Sequence, residues 1–384
     1  MRRAINCRAI TTSSKIPSLA ILDDYLSISQ KHFEHISDSA LKREIFTLPT
    51  SQRTDADRAA LISRLKPFTA ISTMRERTPF PASLLEELPN LKLLLCTGTQ
   101  FETFDLDRAR QLGITVAAAP GRGRTDEPAR ETKTKVRNIK KGGLHPATHH
   151  TWALILALAR NVAADDAAIK AGGWQTDMAM GLSGKTLGIV GLGRLGAAVA
   201  RIAILAFGMK VVCWSSSLNQ ATADERATSL GLPVEDEFGD RTFRAVGKEE
   251  LFSTADVVSL HYVLSKRSRN VVGAAELGAM KPDALLVNTS RGPLVDEEAL
   301  LDTVRRGNIG GVALDVFAVE PLPADSPWRD RSLGLGKDGR SSSRVLLTPH
   351  MGYVEEGIMN TWYAETAENV ERWLGGKEIL HRLV

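Results

Sequence analysis

Cysteine is scarce in this chain of 384 residues, and the three present, Cys7, Cys96 and Cys213, lie far apart with no CxxC pair. That spacing excludes a disulfide framework and a cysteine-based zinc site, and fits a reducing compartment. Cys96 and Cys213 sit inside apolar runs and read as small core hydrophobes. Long apolar runs are also missing. The longest candidate, residues 152–159, falls well short of the roughly 18–20 residues of a membrane helix, so no membrane partner is expected. Excess charge of one sign is missing too. The formal net charge is +4, yet residues 121–143 alone hold eight Lys/Arg against three Asp/Glu, which leaves −1 for the rest of the chain. The basicity is one local segment rather than a face for nucleic acid. Residues 1–22 carry Arg2, Arg3, Arg8 and Lys15 and no acid. We expect a short N-terminal extension of a cytoplasmic protein there, with a mitochondrial transit segment as the alternative.

What is present is an α/β alternation. Short apolar runs at residues 19–22, 44–48, 70–74, 91–96 and 114–119 read as strands, with helical segments near 26–36, 56–65, 81–88 and 105–112 between them. A second series of strands is expected at 186–190, 210–214, 257–260, 284–288, 311–315 and 345–347. Alternation at this spacing predicts parallel sheets with helices on both faces. Residues 147–170, apolar on more than one face, read as one long buried helix, and residues 356–374 as a final helix. Residues 121–143 and 325–343 read as loops, and the pair His149-His150 reads as the start of a helix because nothing near it completes a metal site.

The run Leu187-Gly188-Ile189-Val190-Gly191-Leu192-Gly193-Arg194-Leu195-Gly196 is a strand, then GxGxxG, then an Ala-rich helix. Gly191 permits the tight turn, Gly193 lets a pyrophosphate approach the backbone, and Gly196 lets helix and strand pack closely. The N–H groups at Arg194 and Leu195 open the helix and face the phosphates. Together these predict a dinucleotide site. The next strand ends at Ser215-Ser216-Ser217, where a carboxylate for the ribose hydroxyls of NAD is usual. Its replacement by hydroxyls tilts the expectation to NADP over NAD. Three later strands end in polar residues: Asn288-Thr289-Ser290-Arg291, Asp315 through Glu320, and Thr348-Pro349-His350. Ligands of open parallel sheets bind at the carboxyl ends of strands, so Arg291, Glu320 and His350 are candidates to meet beside the cofactor.

These motifs, with Ser259-Leu260-His261, make the chain resemble the D-isomer-specific 2-hydroxyacid dehydrogenase family over about residues 15–383. The resemblance implies two Rossmann-like doubly wound parallel-sheet domains with an active-site cleft between them. It divides the chain into a discontinuous substrate domain (15–119 plus 353–384), a basic inserted loop at the hinge (120–146) and a dinucleotide-binding domain (147–352). It implies hydride transfer between NAD(P) and C2 of a small 2-oxo or 2-hydroxy acid such as glyoxylate or hydroxypyruvate. Arg291 would bind the substrate and His350 would act as acid and base with Glu320 as its partner. The N–H groups of Thr97 and Gly98 would hold the carboxylate, and Asp315 the nicotinamide carboxamide. His261, Thr289, Ser290 and Gly352 would line the cofactor site. A homodimer is implied as well, and no metal. The sequence departs from the family in Met351-Gly352-Tyr353 after His350, and in Tyr262-Val263 after His261. Because some relatives are corepressors, a non-enzymatic NAD(P)-sensing scaffold is the competing reading.

Overall fold

The computed structural model describes residues 16–47, 52, 54–126, 145–333 and 343–384. The N-terminal basic segment, most of the 121–143 loop and residues 334–342 of the second loop lie outside the described residues. Among the described residues no helix is long and apolar enough to cross a membrane. The described residues within Met1–Thr134 and Glu355–Val384 form one compact unit, and those within Lys135–Val354 another.

In the first unit the apolar runs become β1 (Ser18–Ile21), β2 (Lys42–Ile45), β3 (Ala70–Thr73), β4 (Leu93–Thr97) and β5 (Thr115–Ala119). The helices are α1 (Gln30–Phe33), α2 (Asp55–Leu65), α3 (Ala82–Leu85) and α4 (Leu106–Gln111). All strands pair in parallel in the order β2-β1-β3-β4-β5, a doubly wound arrangement. Strands β3 and β4 are buried at every residue, which is why they read as continuous apolar runs rather than alternating ones. The helix expected over 26–36 shrinks to α1. Ser27 has a positive φ of 52°, and the Asp24 carboxylate takes the N–H groups of Ile28 and Ser29, so the backbone turns before it can coil. At the chain's end, Leu383 N–H bonds the Val116 carbonyl and Ala118 N–H the His381 carbonyl, which covers the β5 edge.

The second unit opens with two helices where one is expected. The single helix expected over 147–170 is two, α5 (Pro146–Ala159) and α6 (Val162–Lys170). Asn161 between them is left-handed, with φ 57° and ψ 26°, a conformation that asparagine tolerates better than most residues. Only α5 is buried; no residue of α6 is. The unit continues with β6 (Thr186–Val190), α7 (Arg194–Phe207), β7 (Lys210–Trp214), α8 (Gln220–Ser229), β8 (Arg244–Ala245), α9 (Lys248–Thr254) and β9 (Val257–Leu260). It closes with α10 (Ala274–Ala279), β10 (Leu285–Asn288), α11 (Glu297–Arg306), β11 (Gly311–Leu314) and β12 (Arg344–Leu347). The two-residue β8 has no apolar run to announce it. The seven parallel strands run β12-β11-β10-β9-β6-β7-β8, so the strand order reverses between β6 and β9. One sheet face carries Trp152, Leu154 and Ile155 of α5 with Ala197 and Val199 of α7; the other carries Leu251, Phe252, Leu277 and Leu300. Helices on both faces leave only the strand ends to solvent, and a reversal point at those ends is where such sheets take ligands.

The last helix, α12 (Glu356–Leu374), belongs to the first unit and packs on β4, β5 and α1. It buries two acids, Glu365 and Glu368. Glu365 accepts the N–H groups of Gly121 (2.8 Å), Arg122 and Gly123 (2.5 Å). Glu368 accepts the N–H of Thr125 at 2.8 Å and its hydroxyl, and Arg124 forms two bonds to Glu371 at 2.9 and 2.7 Å. The opening of the expected loop, residues 121–126, is therefore fastened to α12 by one acid per turn.

Candidate active site

At the β6–α7 turn each glycine has a separate reason. Gly191 has φ +99°, and a Cβ there would lie 2.5 Å from the His261 carbonyl oxygen; at Gly196 it would lie 2.2 Å from the Gly191 carbonyl oxygen. The turn after β6 is thus pressed against the end of β9, at the reversal point of the sheet. Gly193 differs. It is the N-cap of α7 with an extended backbone, φ −78° and ψ −163°, and a Cβ there would meet nothing within 4 Å. Arg194 and Leu195 follow as the first residues of α7. An open, side-chain-free cradle at the positive end of a 14-residue helix is the shape and charge a pyrophosphate needs. The residues present fit a dinucleotide.

Around this turn, Ser215 and Ser216 follow β7. The Tyr262 hydroxyl donates to Ser216 Oγ at 2.8 Å and accepts the Ser216 N–H at 3.1 Å, while its ring stacks on Trp214. His261 meets Ser259 Oγ through Nε2 at 2.9 Å. Burial pushes its imidazole down to about 4, so it is neutral at pH 7. Thr289 shares a hydrogen bond with Thr151 of α5 at 2.7 Å, and Ser290 Oγ donates to the Tyr262 carbonyl at 2.8 Å.

Arg291 leaves β10 in an extended conformation, its carbonyl held by Asn288 Nδ2 at 3.0 Å and one guanidinium N–H on the Ser290 carbonyl at 2.9 Å. At the next residue, Gly292, a Cβ would overlap the Phe317 carbonyl carbon at 2.0 Å. Only glycine lets the turn after β10 touch the turn after β11 so closely. The second turn carries Glu320. Its Oε1 accepts the Phe317 N–H at 2.9 Å and its Oε2 lies 2.5 Å from His350 Nδ1. Both side chains are largely covered, at 15% exposure for His350 and 24% for Glu320. Tyr353 meets the His350 ring edge to face at 5.4 Å. His350 itself is left-handed, with φ 56°, which costs a non-glycine residue roughly 1–2 kcal/mol and needs surroundings that impose it.

Those surroundings come from Asp315. Its carboxylate, 1% exposed, accepts Thr348 Oγ1–H at 2.6 Å, Met351 N–H at 2.7 Å and Gly352 N–H at 2.9 Å, and His150 Nε2 lies 3.1 Å from Oδ1. Burial pushes this carboxyl up, but the bonds from His150, Thr348 and Met351 outweigh it and hold the acid below the usual carboxylate range. Three of these donors fall on Oδ1 and one on Oδ2, so the protein itself engages most of the roughly four lone-pair sites of this buried carboxylate. One expectation in the first unit meets a competing bond. Gly98, at the end of β4 with φ +76°, already donates its N–H to the Ala119 carbonyl at 2.8 Å, and Thr97 Oγ1 accepts the Arg75 N–H at 3.1 Å. The expected carboxylate contact at Gly98 is thereby taken by the sheet. His150, read from sequence only as a helix start, is a residue of this site that sequence reasoning missed. Its partners lie 165 and 198 positions away, and no local spacing signals them. Among the described residues no cluster of acids, histidines and cysteines could hold a metal ion. The thiols of Cys96 and Cys213 are pushed up to about 12 by burial, as core residues are.

Comparison with known proteins decides the family. The model for the NAD binding domain of D-isomer specific 2-hydroxyacid dehydrogenases matches residues 152–352. A hydroxypyruvate reductase of Thermotoga maritima is 30% identical over 328 residues, 85% of this chain and 90% of that protein. The chain belongs to the D-isomer-specific 2-hydroxyacid dehydrogenase family. A D-3-phosphoglycerate dehydrogenase of Mycobacterium leprae is 30% identical over 323 residues, 84% of this chain and 52% of that protein. The chain thus spans about half the length of the D-3-phosphoglycerate dehydrogenases it matches. Among solved structures, a phosphoglycerate oxidoreductase of Vibrio cholerae superposes with a TM-score of 0.73 at 31% identity, covering 94% of this chain and 99% of that one. Family members share the two parallel-sheet α/β units described above.

Proposed function

We propose that the protein is an NAD(P)-dependent oxidoreductase that interconverts a small 2-oxo acid and the D-2-hydroxy acid. The observation that carries this reading is the His350–Glu320 pair at 2.5 Å. Glu320, held by the Phe317 N–H, accepts from Nδ1 and fixes the ring, which leaves Nε2 to give a proton to the oxo oxygen in reduction and to take it back in oxidation. Arg291 offers a planar fork of donors to the substrate carboxylate and oxo group. Gly191, Gly193, Arg194, Leu195 and Gly196 would hold the pyrophosphate; Ser215 and Ser216 the ribose; and His261, Thr289 and Gly352 the rest of the cofactor. When bound, the nicotinamide supplies or receives the hydride at C2. The neutral His261 adds no charge beside it. Hydroxyls in place of a carboxylate at Ser215 and Ser216 favour NADP over NAD. Glyoxylate and hydroxypyruvate are the substrates of choice, since a relative covered over 90% of its length is a hydroxypyruvate reductase. We further propose a homodimer. Val162, Ile169, Trp174, Met178 and Leu205 of the second unit are all exposed and are the apolar side chains such an association would cover.

The test is oxidation of NADPH and NADH, followed by absorbance, against a panel of 2-oxo acids. Turnover with glyoxylate or hydroxypyruvate, faster with NADPH, is the expected result. No oxidation of either cofactor with any 2-oxo acid would overturn the reading. Light scattering on the eluting protein checks the dimer.

A further inference from the structure

His350 sits in a backbone conformation it would not choose, with φ 56°. Asp315 is what holds it there. The Asp315 carbonyl accepts the His350 N–H at 2.8 Å, and its carboxylate takes the next two N–H groups, those of Met351 and Gly352. The carboxylate in turn has two side-chain neighbours, Thr348 and His150. Thr348 has a single hydroxyl proton and gives it to Asp315 Oδ1 at 2.6 Å. His150 Nε2 lies 3.1 Å from that same oxygen and 3.0 Å from Thr348 Oγ1. A carboxylate only accepts, and the Thr348 proton is spent, so Nε2 must carry a proton and donate. The tautomer of His150 is therefore set by its partners. His150 stands on α5, one of the best-buried helices of the sheet. It thereby links the rigid core to the carboxylate that shapes the His350 turn.

We propose that His150 is a positioning residue: acting through Asp315, it fixes the segment Thr348–Gly352 so that His350 faces Glu320. The inference rests on the proposed function in taking His350 as the group that works on the substrate oxygen. Its physical basis is that a misplacement of about 1 Å at a reacting group costs on the order of 100-fold in rate.

The experiment compares His150→Ala, which removes the donor, with His150→Gln, whose side-chain amide N–H reaches a similar position. Three quantities are read: kcat against KM, dinucleotide affinity by fluorescence titration, and the amide proton shifts of Met351 and Gly352 by NMR. His150→Ala should lower kcat by about 10- to 100-fold, move both amide resonances, leave KM within about 3-fold, and lower dinucleotide affinity by less than it lowers kcat, since Gly352 also borders the cofactor. His150→Gln should recover most of kcat and return the amide shifts toward wild type. Unmoved amide shifts in His150→Ala, or a kcat equal to wild type, would overturn the proposal. So would a His150→Gln protein that folds but stays as slow as His150→Ala. A wild-type protein that reduces no 2-oxo acid would refute the proposed function alone, because the amide shifts decide the role of His150 without turnover.

Discussion

Replacing Gly193 with alanine should separate binding from stability. The Gly193 backbone, φ −78° and ψ −163°, is open to any residue, and the added methyl would meet no protein atom within 4 Å. Loss of glycine's freedom in the unfolded chain favours the variant by about 0.4–1 kcal/mol. Alanine is a poorer helix N-cap than glycine by a few tenths to about 1 kcal/mol. The two terms nearly cancel, so the melting temperature should stay within about 4 °C of wild type. The methyl, however, occupies the space a pyrophosphate needs. Losing one charge-assisted hydrogen bond there costs about 1.5–3 kcal/mol, roughly 10- to 150-fold in affinity. Gly191→Ala is the control with the opposite profile. At φ +99° with its Cβ 2.5 Å from the His261 carbonyl oxygen, backbone strain and overpacking together cost about 2–6 kcal/mol. That is a fall of roughly 4–24 °C for a unit of this size. The assays are thermal unfolding without ligand and fluorescence titration with NADH and NADPH. A Gly193→Ala protein that binds both dinucleotides as wild type would refute the assignment of the turn.

His350→Ala should lower kcat by about 100-fold or more in steady-state assays, as loss of a general acid does; a wild-type rate would remove it from the chemistry. Arg291→Lys loses the fork geometry and should raise KM for the oxo acid by roughly 10- to 150-fold, the worth of one charged hydrogen bond; an unchanged KM would place the substrate elsewhere. Glu365→Ala strands the N–H groups of Gly121, Arg122 and Gly123 and should cost about 2–5 kcal/mol in urea unfolding; an unshifted midpoint would show that water replaces the carboxylate. For pH, burial lowers His261 from 6.5 to about 4 in the folded protein. The unfolded chain therefore takes up a proton in that window that the folded one refuses. Its stabilising contribution is complete above about pH 6.5 and falls away as the pH drops toward 4. His261→Asn should flatten that part of the stability curve, and an identical acid limb in the two proteins would count against the lowered imidazole.

Features confined to one turn or one strand end were legible in the residues. The GxGxxG run declares its strand, turn and helix because all three constraints fall within ten positions, and strands buried on both faces announce themselves as short apolar runs. The helix break at Asn161 was hidden because asparagine carries no proline-like prohibition; it merely tolerates φ 57° where the tertiary structure asks for it. Glu365, Glu368 and Glu371 share one side of α12 at a spacing that looks like a solvated face, yet two are buried against backbone and threonine donors of residues 121–125. The bonds made by Gly98 and by Asp315 reach long-range partners, Ala119 in one case and His150 in the other. Periodicity and motif spacing carry no information about such pairs.

In the proposed reaction hydride reaches C2 of a 2-oxo acid while His350 handles the proton at its oxygen. The direct measurement is product analysis after reduction of hydroxypyruvate or glyoxylate with nicotinamide cofactor deuterated at C4. The expected result is one deuterium on C2 of the hydroxy acid and, for hydroxypyruvate, a D-configured product formed at least about 100-fold more slowly by His350→Ala. Product without deuterium at C2, an L-configured product, or equal rates from the two proteins would contradict it.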